Sequence, residues 1–204
     1  AIAHTGYFIG ILLAIGSAII GPSHGLATDL FDITTYGLLA IILLNISTIV
    51  TDKILLRTFS VRKEIIEDQN EGTGVIEAAN AIASGLVLMG AVTGENHMGM
   101  PGYLSAIIFW LIGQLAVILI AWVYNLITVY DVHKEIEKDN VAVGVGFAGA
   151  VIAIANLVRY ALAGDFVSWS VTFTDVAFEI ILGLILLPVV RYLTDKILLP
   201  GQKL

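Results

Sequence analysis

The chain has 204 residues, 58% of them hydrophobic and only 13% charged, where an ordinary soluble domain carries roughly 25% charge. Its 17 acidic and 10 basic side chains leave a net charge of −7, which excludes the basic footprint of a nucleic-acid binder. Cysteine is absent, so disulfide frameworks, thiolate metal sites and cysteine nucleophiles are excluded as well.

The apolar residues fall into runs long enough to cross a hydrocarbon core, which takes about 20 residues. A soluble helical bundle would need polar faces at helical spacing instead. A first span, from Gly6 to Ile20, reaches the breaker cluster Gly21-Pro22-Ser23, ending there or continuing towards Leu26 through a kink at Pro22. A short loop with Asp29 and Asp32 follows, then a second span from Thr35 to Leu56. The charged turn Arg57 to Glu71 leads into a third span, Gly72 to Thr93, and a loop from Gly94 to Gly102 containing Glu95, His97 and Pro101. The fourth span covers Tyr103 to Tyr130, the next charged turn Asp131 to Asn140, and the fifth span Val141 to Ala163. A loop around Asp165 and Trp169 precedes the sixth span, Thr172 to Leu193. The fold expected is all-α: one polytopic membrane domain over 1–204, a helical bundle with six transmembrane helices. The first residue is Ala1, so a missing initiator or longer leader is expected ahead of it.

Two stretches of the chain repeat one another, Leu56 to Gly90 and Ile127 to Arg159. Lys63-Glu64-Ile65 recurs as Lys134-Glu135-Ile136, Asn70 as Asn140 and Gly74 as Gly144. At about twice that separation, the string Thr51 to Leu56 recurs letter for letter as Thr194 to Leu199. The periods predict three helical hairpins of like orientation. All Lys and Arg except Arg159 lie in or beside the second loop, the fourth loop and the C-terminal tail. By the positive-inside rule those segments and both termini are cytoplasmic. Most tyrosines and Trp169 stand towards span ends, as interfacial rings do, whereas Trp110 and Trp122 read as packing or lipid-facing residues.

The second repeat reads Thr128-Val129-Tyr130-Asp131, then Lys134-Glu135-Ile136-Glu137-Lys138-Asp139-Asn140-Val141-Ala142, then the series Gly144, Gly146, Ala148 and Gly149. This pattern resembles the bacterial membrane family called domain of unknown function family 350. The resemblance implies tandem copies of one helix–turn–helix unit, over roughly Ile41–Gly94 and Ile112–Gly164, in a bacterial inner-membrane protein. The upstream copy departs from it where Asn70-Glu71-Gly72 replaces Asn-x-Ala. The family supplies no activity.

Asn70 and Asn140 stand just before membrane helices and read as N-caps, whose side-chain oxygen takes an orphan N–H of the first turn for ~1 kcal/mol. Glu77, Asn80 and Ser84, at spacings of four residues or fewer, share one face of the third span. A mid-bilayer carboxylate costs about 2.5–3.5 kcal/mol on the insertion scale, so it faces protein or water. Two readings stay open there, an interfacial acid with an interhelical amide contact, or an ion or proton site. Near the outer end of the fifth span, Arg159 is expected to pair with Asp175, one turn before Glu179 on the sixth, as a structural clamp or a gate. Asn45 and Gln114 lie mid-span and are expected to hydrogen-bond between helices.

His24, Glu95, His97 and Asp165 share the outer loops, but their spacing matches no compact zinc motif, so neither a metal site nor a cofactor is expected. The sequence carries no Gly-rich phosphate loop, His-Glu-x-x-His or nucleophile elbow, which argues against an enzyme. Small residues at helical spacing (Gly74, Ala78, Ala81; Ala142, Gly146, Gly149, Ala153) predict close helix packing, within the chain or in a homo-oligomer. The leading expectation is a channel- or carrier-type protein for a small cation or proton. The alternative is a non-catalytic scaffold or accessory subunit binding other membrane proteins. The partners expected are the lipid bilayer and membrane proteins, with no nucleic acid.

Overall fold

In hydrocarbon every peptide N–H and C=O must be paired inside the protein, so long apolar runs fold as helices. The structure, a computed structural model, describes residues 1–20, 23–54, 56, 60–93, 102–164 and 167–197. Six long helices carry the fold: α1 (Ile2–Ile20), α2 (Leu26–Ile54), α4 (Glu71–Thr93), α5 (Gly102–Ile127), α7 (Val141–Leu162) and α8 (Trp169–Ile197). Two six-residue helices, α3 (Val61–Ile66) and α6 (Val132–Glu137), lie in the charged turns. All six long helices contain a stretch long and apolar enough to cross a membrane, and the described residues hold no strand.

Several boundaries differ from expectation: α1 begins at Ile2 rather than Gly6, α5 ends at Ile127 rather than Tyr130, and α8 begins at Trp169 rather than Thr172. Asp29 and Asp32 were expected in a loop before a span at Thr35, yet α2 already begins at Leu26. Asp29 sits in its first turn, where a carboxylate suits the exposed N–H groups, and accepts from the Ser23 hydroxyl (2.5 Å) and the His24 N–H (2.8 Å). Thr34 and Thr35 return their hydroxyls to the Leu30 and Phe31 carbonyls and so do not interrupt the helix. At the other end, α8 runs four residues past Leu193 and passes through Pro188. The kink considered at Pro22 lies outside the described residues, and α1 stops at Ile20.

The core is a row of three helices with α4 between α1 and α7. Gly6 meets Ala78 while Gly10 meets Ala81 and Gly85, so α1 and α4 run in the same direction. Gly72 against Gly144 and Gly90 against Arg159 set α4 and α7 parallel in the same way. A side chain at Gly85 would put its Cβ 2.7 Å from the Gly10 Cα, and one at Gly90 would lie 2.6 Å from the Arg159 carbonyl oxygen. Only the missing Cβ atoms permit this approach. The remaining helices cover the row: α2 antiparallel to α1 through Gly37 on Ile15 and Asn45 on Tyr7, α5 through Gly113 on Val87, and α8 through Gly183 on Ile154. Val87, Leu88, Phe147, Ile154 and Leu162 are fully buried among them. Phe8, Leu12, Leu115, Phe178 and Ile185 remain exposed, an apolar exterior larger than water tolerates on a monomer.

These contacts predict a graded response to added volume. Gly85→Leu and Gly90→Leu should each destabilise the protein by at least ~1–3 kcal/mol, the range for overpacking, because backbone rather than a movable side chain opposes the new atoms. Gly149→Leu, with nothing within 4 Å of its Cβ position, should unfold in detergent at nearly the wild-type temperature.

Candidate functional site

The two charged turns share one construction. Ser60 and Asp131 cap α3 and α6, their side chains accepting from Lys63 N–H (3.4 Å) and from His133 and Lys134 N–H (3.1 and 3.3 Å). Gln69 and Asp139 then turn the chain with positive φ (52° and 59°), a conformation uncommon outside glycine. Directly after them, Asn70 Oδ1 accepts from Thr73 N–H (2.7 Å) and Asn140 Oδ1 from Val143 N–H (3.3 Å), capping α4 and α7. Each asparagine also donates to the glutamate of its own turn, Asn70 to Glu64 and Asn140 to Glu135, both at 3.0 Å.

The turns also hold each other. Asn70 Nδ2 donates to the Ile136 carbonyl (2.8 Å), and Asp139 Oδ1 accepts from Gly72 N–H (3.0 Å). Outward, the charges pair locally as Lys63–Asp68 (2.8 Å), Lys134–Asp131 (3.3 Å) and Lys138–Glu135 (2.7 Å). The Lys134 backbone N–H, with its ammonium group, holds the Asp131 carboxyl below the usual carboxylate range. Lys138 and Asn140 do the same for Glu135. With lowered folded-state values, both contributions are complete above the ordinary carboxylate range and fade as pH falls through the lowered values.

A second polar group lies inside the bundle, just above the turns. Glu77, Asn80 and Ser84 are all buried on α4, and Thr73 extends their face by one turn. Asp52, near the end of α2, brings its carboxyl group against that of Glu77, beside Asn80. Asp52 Oδ1, Thr73 Oγ1, Glu77 Oε1 and both side-chain atoms of Asn80 are buried and make no hydrogen bond. The ion pairs among the described residues stay in the charged turns and reach neither carboxyl group. With Asn70 aligned on Asn140, the stripe falls opposite Phe147, Ala150 and Ile154, which are equally buried on α7. The same structural unit therefore folds with apolar residues at these positions, and packing does not require the polar ones.

Sequence reading missed Asp52 and Thr73. A signal for Asp52 existed: α2 and α4 enter and leave the same charged turn, and Asp52 and Glu77 both stand within two turns of it. Thr73 lies four residues before Glu77.

The outer polar residues are arranged differently from expectation. Arg159 does not pair with Asp175; its Nε donates to Asn156 Oδ1 (2.9 Å) on its own helix. Equal distance from the connecting loop sets depth in a hairpin but not rotation about the helix axes. The Arg159 backbone lies against Gly90 of α4, while Asp175 is exposed on α8. Asp175 and Glu179 instead line a cleft of about 460 Å³ with Tyr160 and Phe178, and Glu179 Oε2 is buried there without a partner. Of the outer-loop zinc candidates, Glu95, His97 and Asp165 lie outside the described residues. Among the described residues no three His, Cys, Asp or Glu side chains gather as metal ligands.

The mid-span amides do bridge helices. Asn45 Nδ2 donates to the Tyr7 hydroxyl (2.9 Å), and Gln114 Oε1 lies 2.6 Å from the Ser47 hydroxyl, which accepts from Trp110 Nε1 (2.9 Å). Trp110 is thus a buried packing residue and Trp122 an exposed one.

The helices, their apolar exterior and the enclosed polar stripe define a multi-pass helical membrane protein. The sequence model of the family described as Domain of Unknown Function (DUF350) matches residues 1–92 and 98–204, and the chain belongs to that family as two tandem copies. Each matched stretch holds three of the six long helices and one charged turn. No curated protein and no solved structure matches the chain.

The turn geometry yields an asymmetric prediction. Asn70→Ala removes the cap, the Glu64 contact and the link to α6, and should cost ~1–3 kcal/mol, the range for leaving a buried partner unsatisfied. Asn140→Ala removes a cap and one partner inside its own turn and should cost ~1 kcal/mol. Equilibrium unfolding in mixed micelles measures both, and equal losses would mean that the cross-turn link contributes nothing.

Proposed function

We propose that the protein is a non-enzymatic, transport-class bundle, channel- or carrier-like, whose cargo is a small cation or proton engaging Glu77, Asn80 and Ser84. One observation carries this reading: a buried polar stripe on the central helix, unpartnered at Glu77 Oε1 and both side-chain atoms of Asn80, at positions where the repeated unit is apolar. Uncompensated polar groups inside a membrane protein are expensive and mark ion pathways by default. In this reading the long helices form three like-oriented hairpins, with both termini and the charged turns in the cytoplasm of a bacterium and the bundle in its inner membrane. The parallel course of α1, α4 and α7 and the basic residues of the turns support it. The cleft at Asp175 and Glu179 then lies at the outer end, with the stripe nearer the cytoplasm.

A second reading, a scaffold or homo-oligomer that binds membrane helices, draws on a different surface. Gly146, Gly149 and Ala153 line an apolar cleft of about 590 Å³ between α5, α7 and α8, open to the outside of the bundle. A protein that is folded and oriented yet passes no ion would favour this reading.

Two measurements test the proposal. Cysteines placed at His24 and Val167 should react with an impermeant reagent applied outside intact cells, and those at Arg62 and Lys138 should not; the reverse pattern overturns the orientation. In liposomes the purified protein should pass cations or protons, and Glu77→Gln should reduce that flux at least about tenfold, equivalent to 1.4 kcal/mol. Gln keeps the volume and hydrogen-bonding capacity of Glu, so such a loss reports the missing charge. Silence of the wild-type protein towards sodium, potassium, magnesium, calcium and protons would sink the transport reading.

A further inference from the structure

We propose that Asp52, Thr73, Glu77 and Asn80 form a binding site for one hard, doubly charged cation of the magnesium or calcium class, held between α2 and α4. The proposal deepens the transport reading and rests on the same stripe, but it adds two residues and commits to a charge. Four of the orphan atoms are oxygens, from two carboxyl groups, a hydroxyl and an amide. Oxygen-only donors without sulfur or imidazole suit hard ions.

Charge decides between the candidates. The carboxyl groups of Asp52 and Glu77 face each other, and none of the ion pairs among the described residues supplies a compensating base. One proton or one alkali ion between two carboxylates leaves a net negative charge inside the bundle, whereas a divalent ion neutralises both at once. Thr73 and Asn80 stand about 10 Å apart along α4, so they flank the two carboxylates and reach the ion through water, and those waters with the carboxylate oxygens make up the roughly six oxygens that such ions take.

The setting suits an ion that arrives from the side of the charged turns. Glu77 lies six residues beyond the start of α4 and Asp52 two before the end of α2, so the pair is near the end of the bundle, and Asp52 is only half-buried. Thr73 is fully buried and Asn80 nearly so, about one turn to either side of Glu77 along α4. The positions aligned with Thr73, Glu77 and Asn80 on α7 are Val143, Phe147 and Ala150, so the second repeat has no counterpart of the α4 donors.

Binding is tested without transport. The full-length protein, stripped with a chelator and held in an uncharged detergent, is titrated with magnesium or calcium chloride by calorimetry and by thermal unfolding, against sodium and potassium chloride at matched ionic strength. A saturable divalent signal near one ion per chain is expected. Asp52→Asn and Glu77→Gln should each weaken it at least about tenfold, Thr73→Val should weaken it less, and Asp175→Asn should leave it unchanged. Metal-free Glu77→Gln should unfold at or above the wild-type temperature, since it relieves the contact of two carboxyl groups inside the bundle. Were it to misfold, the half-buried Asp52→Asn carries the test. Absence of saturable divalent binding, binding equal in wild type and the Asp52 and Glu77 variants, or a response confined to alkali ions or protons overturns the site. Intact binding without flux would sink the transport reading and leave the site; flux without divalent binding would do the opposite.

Discussion

The close approach of α1, α4 and α7 is the contact on which the rest depends. Apolar side chains provide little drive for helices to associate in lipid, because acyl chains solvate them equally well. What holds the three together is backbone-to-backbone proximity at Gly6, Gly10, Gly85, Gly90 and the Gly72–Gly144 pair. The consequence is that α4 becomes a protein-enclosed helix in a molecule otherwise open to lipid. Most of its residues are buried, whereas much of α8 is exposed. An enclosed helix can carry Thr73, Glu77, Asn80 and Ser84 inward without presenting them to acyl chains.

The charged turns supply the second constraint. Each wraps a short helix, reverses the chain through one residue of positive φ and starts the next long helix on an asparagine cap. Because Asn70 and Asp139 reach across to the opposite turn, the starts of α4 and α7 are set level with each other. That level start puts Gly72 beside Gly144 and carries the register along the helices to Gly90 and Arg159. Turn chemistry and glycine packing therefore specify the same arrangement.

Duplication makes the polar stripe interpretable. Two units that share turn, cap and close-packed glycines differ at the positions lining the bundle interior, polar on α4 and apolar on α7. Architecture alone asks for no carboxylate at Glu77. The orphaned atoms around it lie where the second unit packs apolar side chains.

The sequence by itself determined the helical class, the number of long apolar helices, the capping asparagines and the shared face of Glu77, Asn80 and Ser84. All of these follow from interactions local in the chain: run length, the 3.6-residue period and a side chain reaching three residues ahead. The start of α2 was misplaced because Asp29 and Asp32 look like loop residues until Asp29 is seen closing the first helical turn. Tertiary structure alone decided which helix faces meet. It set Asp52 against Glu77, turned Asp175 away from Arg159 and placed α4 between α1 and α7. Each of those depends on rotation about a helix axis, which close contacts between distant segments fix and which hydropathy, the same all round a lipid-facing helix, does not encode.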